Sequence, residues 1–176
     1  MTSPSREPIS RNGRGTDSRQ HPEGIAAWAD IEERLVTGEG TSWLSVRRPH
    51  GGVHTRPLFA AWDGEAFVFA TKASAVKTSH LEADGEVSLA IDLGTVHLAV
   101  EGTARRMRAH GELERASATM LEVYDWPTEV VGEELDAPYA APTSGGPPFQ
   151  AWKIHPAKVI ALPTEDDFEP TRFIFH

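Results

Sequence analysis

The residues of this chain best suited to chemistry lie in Thr71-Lys72-Ala73-Ser74-Ala75-Val76-Lys77-Thr78. An alternating apolar run ends there and a stretch with helical spacing begins, so the segment reads as the junction of a strand and a short helix. The first turn of a helix has unpaired N–H groups and the positive end of the dipole, which suit a phosphate. Hydroxyls of Thr71, Ser74 and Thr78 can add hydrogen bonds, and Lys72 and Lys77 can add charge. A second candidate is His54-Thr55-Arg56-Pro57 on a neighbouring strand. Proline in a strand leaves backbone groups open, and a planar heterocycle can bind them edge-on. Each motif also has an ordinary reading: Ser and Lys are common at helix starts, and Arg56 suits a solvated edge strand.

Charge supports the first reading. The chain of 176 residues carries −9 overall, with +2 over residues 1–21, which leaves −11 for the body. So acidic a body is a poor partner for nucleic acid, where a basic face supplies most of the affinity. Residues 47–77 run the other way, with Arg47, Arg48, Arg56, Lys72 and Lys77 against Asp63 and Glu65. A basic patch in an acidic protein points to a small anionic ligand, or else to a solvated face on two hairpins.

Other chemistries are absent from the pattern. With no cysteine, disulfides, thiolate metal sites and a Cys nucleophile are excluded. His50 and His54 flank Gly51-Gly52, a turn and not a helix bearing paired ligands, so no metal site is expected. Neither a phosphate-binding Gly-rich loop, nor a Gly-x-Ser-x-Gly elbow, nor a His-Glu-x-x-His helix occurs. His97 alternates outward from an apolar strand and is either a solvated histidine or one facing a pocket. Trp43, Trp62 and Trp152 read as core, with one of them free to stack on a ligand. The apolar runs are too short to span a membrane and residues 1–20 have no secretory core, so the expected location is the cytoplasm.

Several elements must position these residues. Residues 1–21, rich in Ser, Arg, Pro and Gly, read as a disordered tail, and 22–176 as one domain. Ile25, Trp28, Ile31 and Leu35 space as a helix that stops at Gly38. Strands are expected over 41–47, 53–62, 65–71, 87–92 and 96–101, with Asp63-Gly64 as a hairpin turn. A short helix over 75–83 has Ser74 as its cap and Leu81 as its inward anchor. A longer helix is expected over 112–124, another over 128–135, and two last strands over 149–162 and 172–175. Between them lies a Pro/Gly loop, 138–148, able to cover a groove. Many short strands with tight turns favour a mainly β, α+β meander or barrel.

The chain resembles the pyridoxamine 5′-phosphate oxidase-like family of FMN-binding split barrels, including its flavin- and deazaflavin-dependent reductase branch. The resemblance lies in Trp43-Leu44-Ser45-Val46, Val53-His54-Thr55-Arg56-Pro57-Leu58, Asp63-Gly64 through Thr71, Ser74-x-x-Lys77-x-x-x-Leu81, Val87-Ser88-Leu89, Val100-Glu101-Gly102-Thr103-Ala104 and Thr171 to Phe175. It implies a six-stranded split β-barrel and a homodimer with cofactor at the interface. Cofactor phosphate would lie on Thr71, Lys72, Ser74 and Lys77, the ring along Thr55, Arg56 and Pro57, and Trp152 and Lys153 would reach it from a late strand. Where flavin-binding oxidases carry Arg beside the phosphate-binding Lys, this chain has Ala75 and Val76. Where they carry an Arg-rich strand, it has His97-Leu98-Ala99. Both departures favour a deazaflavin coenzyme over FMN. The function implied is hydride transfer to or from a small unsaturated or quinone-like molecule, with solvent or His97 as proton source and no catalytic residue assigned. The alternative is a non-catalytic carrier or sensor of flavin, deazaflavin or haem.

Overall fold

The computed structural model describes residues 3–9, 24–142, 144–165 and 168–176. Helix α1 (Trp28–Leu35) buries Trp28, Ile31 and Leu35, three of the four spaced apolar residues. The fourth, Ile25, precedes the helix and bridges to Glu169. Strands β2 (Thr41–Arg47) and β3 (Val53–Leu58) form a hairpin, and β3 is an edge of the main sheet, a position that tolerates Pro57. The expected strand over 53–62 breaks at Phe59-Ala60, and β4 (Ala61–Trp62) resumes it. Tyr124 holds that break, its hydroxyl accepting from Ala60 N (3.2 Å) and donating to Ala60 O (3.0 Å). After the Asp63-Gly64 turn come β5 (Phe67–Thr71), α2 (Val76–Ala83), β6 (Glu86–Asp92), β7 (Val96–Arg106) and α3 (His110–Tyr124).

Beyond α3 two expectations are corrected. Residues 128–135 are not helical: β8 (Glu129–Val131) and β9 (Glu134–Asp136) form a hairpin around Gly132, whose φ of +64° suits a tight turn. Residues 1–21 are not wholly without structure either. Strand β1 (Ser5–Pro8) pairs antiparallel with β11 (Thr171–Ile174), and Glu7 meets Arg172 at 2.7 Å. Backbone pairing needs no apolar side chain, which is why composition gave no sign of it. Residues 1–2 and 10–21 of the expected tail lie outside the described residues.

The fold is mainly β with three helices, and every strand pair in its sheets is antiparallel. The main sheet runs β1-β11-β10-β7-β6-β2-β3, with β5 joined to β10 and β4 to β5, nine strands in all. That count exceeds the six expected partly through β1 and the division of 53–62. Strand β10 (Gln150–Pro163) organises the sheet. It pairs with β7 along its length, with β5 over Gln150–Ile154 and with β11 over Lys158–Ala161. Because β3 continues into β4, β4 pairs with β5 and β5 with β10, the chain leads from the β3 edge back to β10, an arrangement compatible with a split barrel.

Alternation along β5 serves two cores. Phe67 and Phe69, fully buried, face inward with Trp28, Leu89, Val100, Trp152 and Phe173. Val68 faces α3 with Leu113, Met120, Phe149 and Ala151. Each buried Phe contributes on the order of 2–3 kcal/mol, so the junction that follows at Thr71 starts from a fixed strand. Gly102 lies opposite the β10 bulge at Pro156, and a Cβ there would come 2.3 Å from the His155 carbonyl oxygen. Only glycine permits that approach.

Candidate functional site

The junction after β5 is built by its own backbone. Ala75 N donates to Lys72 O at 3.1 Å, and Thr78 Oγ1 donates to the same carbonyl at 2.7 Å. Thr78 and Leu81 are buried and hold α2 against the barrel. Ala75 is the N-cap residue and makes no side-chain cap bond, so Ser74 does not cap the helix and is exposed. Strand β3 runs alongside. Its pleat turns His54 and Arg56 to one face and Thr55 to the other, where the Thr55 and Ser45 hydroxyls meet at 2.8 Å.

Between these elements lies a cavity of about 410 Å³. Arg56, Lys72 and Lys77 form its cationic lining, and Phe59, Trp126, Tyr139 and Phe149 its aromatic lining. Tyr139, Ala140, Ala141 and Ser144 of the Pro/Gly loop line one side of it. Trp126 Nε1 donates to Tyr139 O at 2.9 Å, Tyr139 OH donates to Asp125 O at 2.7 Å, and Lys72 Nζ reaches Pro147 O at 3.5 Å. Two larger hollows, of about 780 and 740 Å³, lie elsewhere, and neither gathers more than one Lys or Arg. Charge, not size, singles out the smaller one.

The electrostatics of the cavity are one-sided. Burial lowers the Lys77 ammonium below the usual lysine range and Arg56 adds to this. His54 is likewise pushed below its ordinary value, first by burial and then by Arg56, His80, Arg48 and Lys77. Thr71 is 4% exposed, lines the cavity, and its Oγ1 has no hydrogen-bond partner among the described residues. A buried hydroxyl left unpaired costs about 1–3 kcal/mol, which an acceptor or donor on a ligand would recover.

A model of the pyridoxamine 5′-phosphate oxidase family matches residues 30–162. The chain belongs to that family. None of the curated proteins matches it in sequence, whereas solved structures match in fold. A conserved hypothetical protein from Mycobacterium tuberculosis is 18% identical, with a TM-score of 0.61 over 85% of this chain and 92% of that one. A pyridoxamine 5′-phosphate oxidase-related, FMN-binding protein from Nostoc punctiforme is 18% identical, with a TM-score of 0.57 over 86% and 91%. A haem-binding protein from Mycobacterium smegmatis is 17% identical, with a TM-score of 0.53 over 74% and 53%.

Within this oxidase-family fold the residues anticipated from sequence divide. Arg56, Pro57, Thr71, Lys72 and Lys77 line one cavity. Thr55 and Ser74 do not. Trp152 is 2% exposed and stacks on Phe69 in the inner core, with ring centroids 6.4 Å apart, so its ring does not reach the cavity. Lys153 lies on the opposite face of β10, its Nζ 3.0 Å from Glu112 of α3. His97 pairs with Asp92 at 3.5 Å on the surface, and Ala75 and Val76 line the cavity where related oxidases were expected to carry Arg. Of the three tryptophans expected in the core, Trp62 and Trp152 are buried, whereas Trp43 is 39% exposed on the outer face of β2. Sequence reasoning missed the aromatic lining. Phe59 was read as mid-strand, and Trp126 and Tyr139 arrive from a distant part of the chain with no local pattern to announce them.

Proposed function

We propose that this protein binds a flavin or deazaflavin coenzyme in the 410 Å³ cavity. It uses the coenzyme for hydride transfer to or from a small unsaturated or quinone-like molecule. One observation carries the reading: a cationic cluster and an aromatic cluster share a single cavity, with Thr71 in its lining. A ligand joining an anionic group to a planar ring fits that lining. Family membership and the FMN-binding relative from Nostoc support it.

The coenzyme supplies the redox chemistry when bound. This chain's residues bind and orient it. Arg56 and Lys77 offer charge-assisted hydrogen bonds to an anionic tail, Lys72 adds charge, and Thr71 Oγ1 gains the partner it lacks. The 138–148 loop excludes water from the cavity. Ala75 and Val76 leave the anion site with fewer cations than the flavin oxidases were expected to have, which favours the deazaflavin coenzyme. A homodimer with the coenzyme at the subunit interface completes the reading. The outer face of β2 and β3 exposes Trp43 and Val53, apolar area that a second copy would cover. Thr55 and Ser74 would act in that assembly, whereas Trp152 and Lys153, packed within their own subunit, would support the site from behind. The setting proposed is the cytoplasm.

Titration with FMN and with the deazaflavin coenzyme, followed by tryptophan fluorescence and the visible spectrum, tests the reading. Lys77→Ala should weaken binding by about 1.5–3 kcal/mol, the scale of a charged hydrogen bond. An unchanged dissociation constant would remove Lys77 from the site. The haem-binding relative from M. smegmatis favours one rival, a non-catalytic carrier or sensor. Turnover of enones or quinones with excess reduced coenzyme separates the two.

A further inference from the structure

We infer that His54 is the proton-linked residue of this cavity: when an anion binds beside Arg56 and Lys77, the His54 imidazole shifts toward its protonated form, drawing on solvent for the proton. The inference rests on the anionic-coenzyme reading and adds its pH dependence. Affinity for the anion then rises as pH falls.

His54 is 9% exposed and lines the cavity from the same face of β3 as Arg56. Its ring meets that of His80 edge-on, with centroids 5.6 Å apart and planes at 82°. His80 Nδ1 is buried and has no hydrogen-bond partner among the described residues. His54 therefore lines the cavity with a second imidazole, His80, packed behind it between β3 and α2.

The charges set against His54 have one sign. Arg56 comes from its own strand, Arg48 from the β2–β3 turn, and Lys77 and His80 from α2. Arg47 of the paired strand is matched by Asp84 at 3.6 Å. With the cavity empty of anion, burial and these cations hold the imidazole neutral near pH 7. An anion between Arg56 and Lys77 neutralises their field and favours the imidazolium. By linkage, proton uptake on binding and tighter binding at lower pH are the same free energy seen from two sides.

Calorimetric titration with sulfate and with FMN, each at pH 7 in buffers of different ionisation enthalpy, tests this. Sulfate does not titrate in that range, so its arm removes any contribution from a ligand phosphate. Wild-type protein should take up about 0.3–0.8 proton per site, and its dissociation constant should rise roughly three- to tenfold from pH 6 to pH 8. In His54→Gln both effects should vanish while binding persists. Should that variant misfold, histidine NMR of the wild type gives the same answer, as the His54 midpoint must move up when sulfate is added. Equal uptake in wild type and variant, an unmoved midpoint, or loss of uptake in His80→Gln alone would overturn the inference and leave the binding reading intact. Failure of sulfate, FMN and the deazaflavin coenzyme alike to bind would overturn both.

Discussion

Replacing Glu112 by Gln should loosen the seam between α3 and the barrel in a way that depends on pH. Glu112, in the first turn of α3, accepts from the Arg105 guanidinium of β7 and pairs with Lys153 Nζ of β10 at 3.0 Å. Hydrogen bonds from Arg105 and then Lys153 hold its carboxyl well below the usual range, at about 2 against an ordinary 4.5. A gap of that size is linked to at most about 3 kcal/mol of stability. The Arg105 side chain is 47% exposed, so water screens part of it and about 1–2 kcal/mol is expected. The folded value is depressed, so this stability is complete above the unfolded value near 4.5. It is lost as pH falls toward 2, with more than half gone by about pH 3. Urea unfolding of wild type and Glu112→Gln at pH 7, 4.5 and 3.5 gives the difference directly. It should be about 1–2 kcal/mol at pH 7 and shrink at each acidic step. A difference that stays constant with pH would refute the ion-pair account, and one below about 0.5 kcal/mol at pH 7 would show that solvent cancels the network.

Two further substitutions probe the site and its frame. Thr71→Val removes a buried hydroxyl that lacks a partner; ligand-free stability, measured by urea unfolding, should hold or rise by up to about 1 kcal/mol, while coenzyme affinity drops severalfold. A fall in ligand-free stability would mean that the hydroxyl is already engaged. Gly102→Ala forces a methyl against the His155 carbonyl and should cost about 1–3 kcal/mol in thermal or urea unfolding. A neutral outcome would show that the β10 bulge can shift.

Strands were legible where a pleat places one face in the core. Leu44 and Val46, or Val87, Leu89 and Ile91, alternate with polar or small residues, and the structure buries the first set. The same alternation carried information about the site that was not used: Arg56 can share a face with His54 but not with Thr55. Trp152 and Lys153, being adjacent on a strand, had to face opposite ways. The 128–135 hairpin was hidden because Glu-rich composition favours helix, while Gly132 at positive φ decides the turn. Strand β1 was invisible because it joins an edge through backbone bonds and charged side chains, with no buried apolar residue to mark it. Arg56, Thr71, Lys72 and Lys77 could be grouped from charge and hydroxyl spacing alone. The aromatic half of the cavity could not, because Trp126 and Tyr139 meet β3 only through tertiary packing.

The central position of β10 also bears on how the protein is made. Strands β2, β3, β6 and β7 can zip together as soon as they leave the ribosome. Strand β5, however, has only the two residues of β4 beside it until Gln150 to Ile154 arrive, about 80 residues later. At about 5–20 residues per second, a nascent chain therefore carries Phe67 and Phe69 without their sheet partner for several seconds. This long-range closure makes the central strand pair a late and aggregation-exposed step. The cavity between β3 and α2 cannot be completed during most of synthesis, since Phe149, Tyr139 and Ser144 of its lining emerge only just before β10. Any ligand that needs the finished cavity can therefore be loaded only after most of the chain has been made.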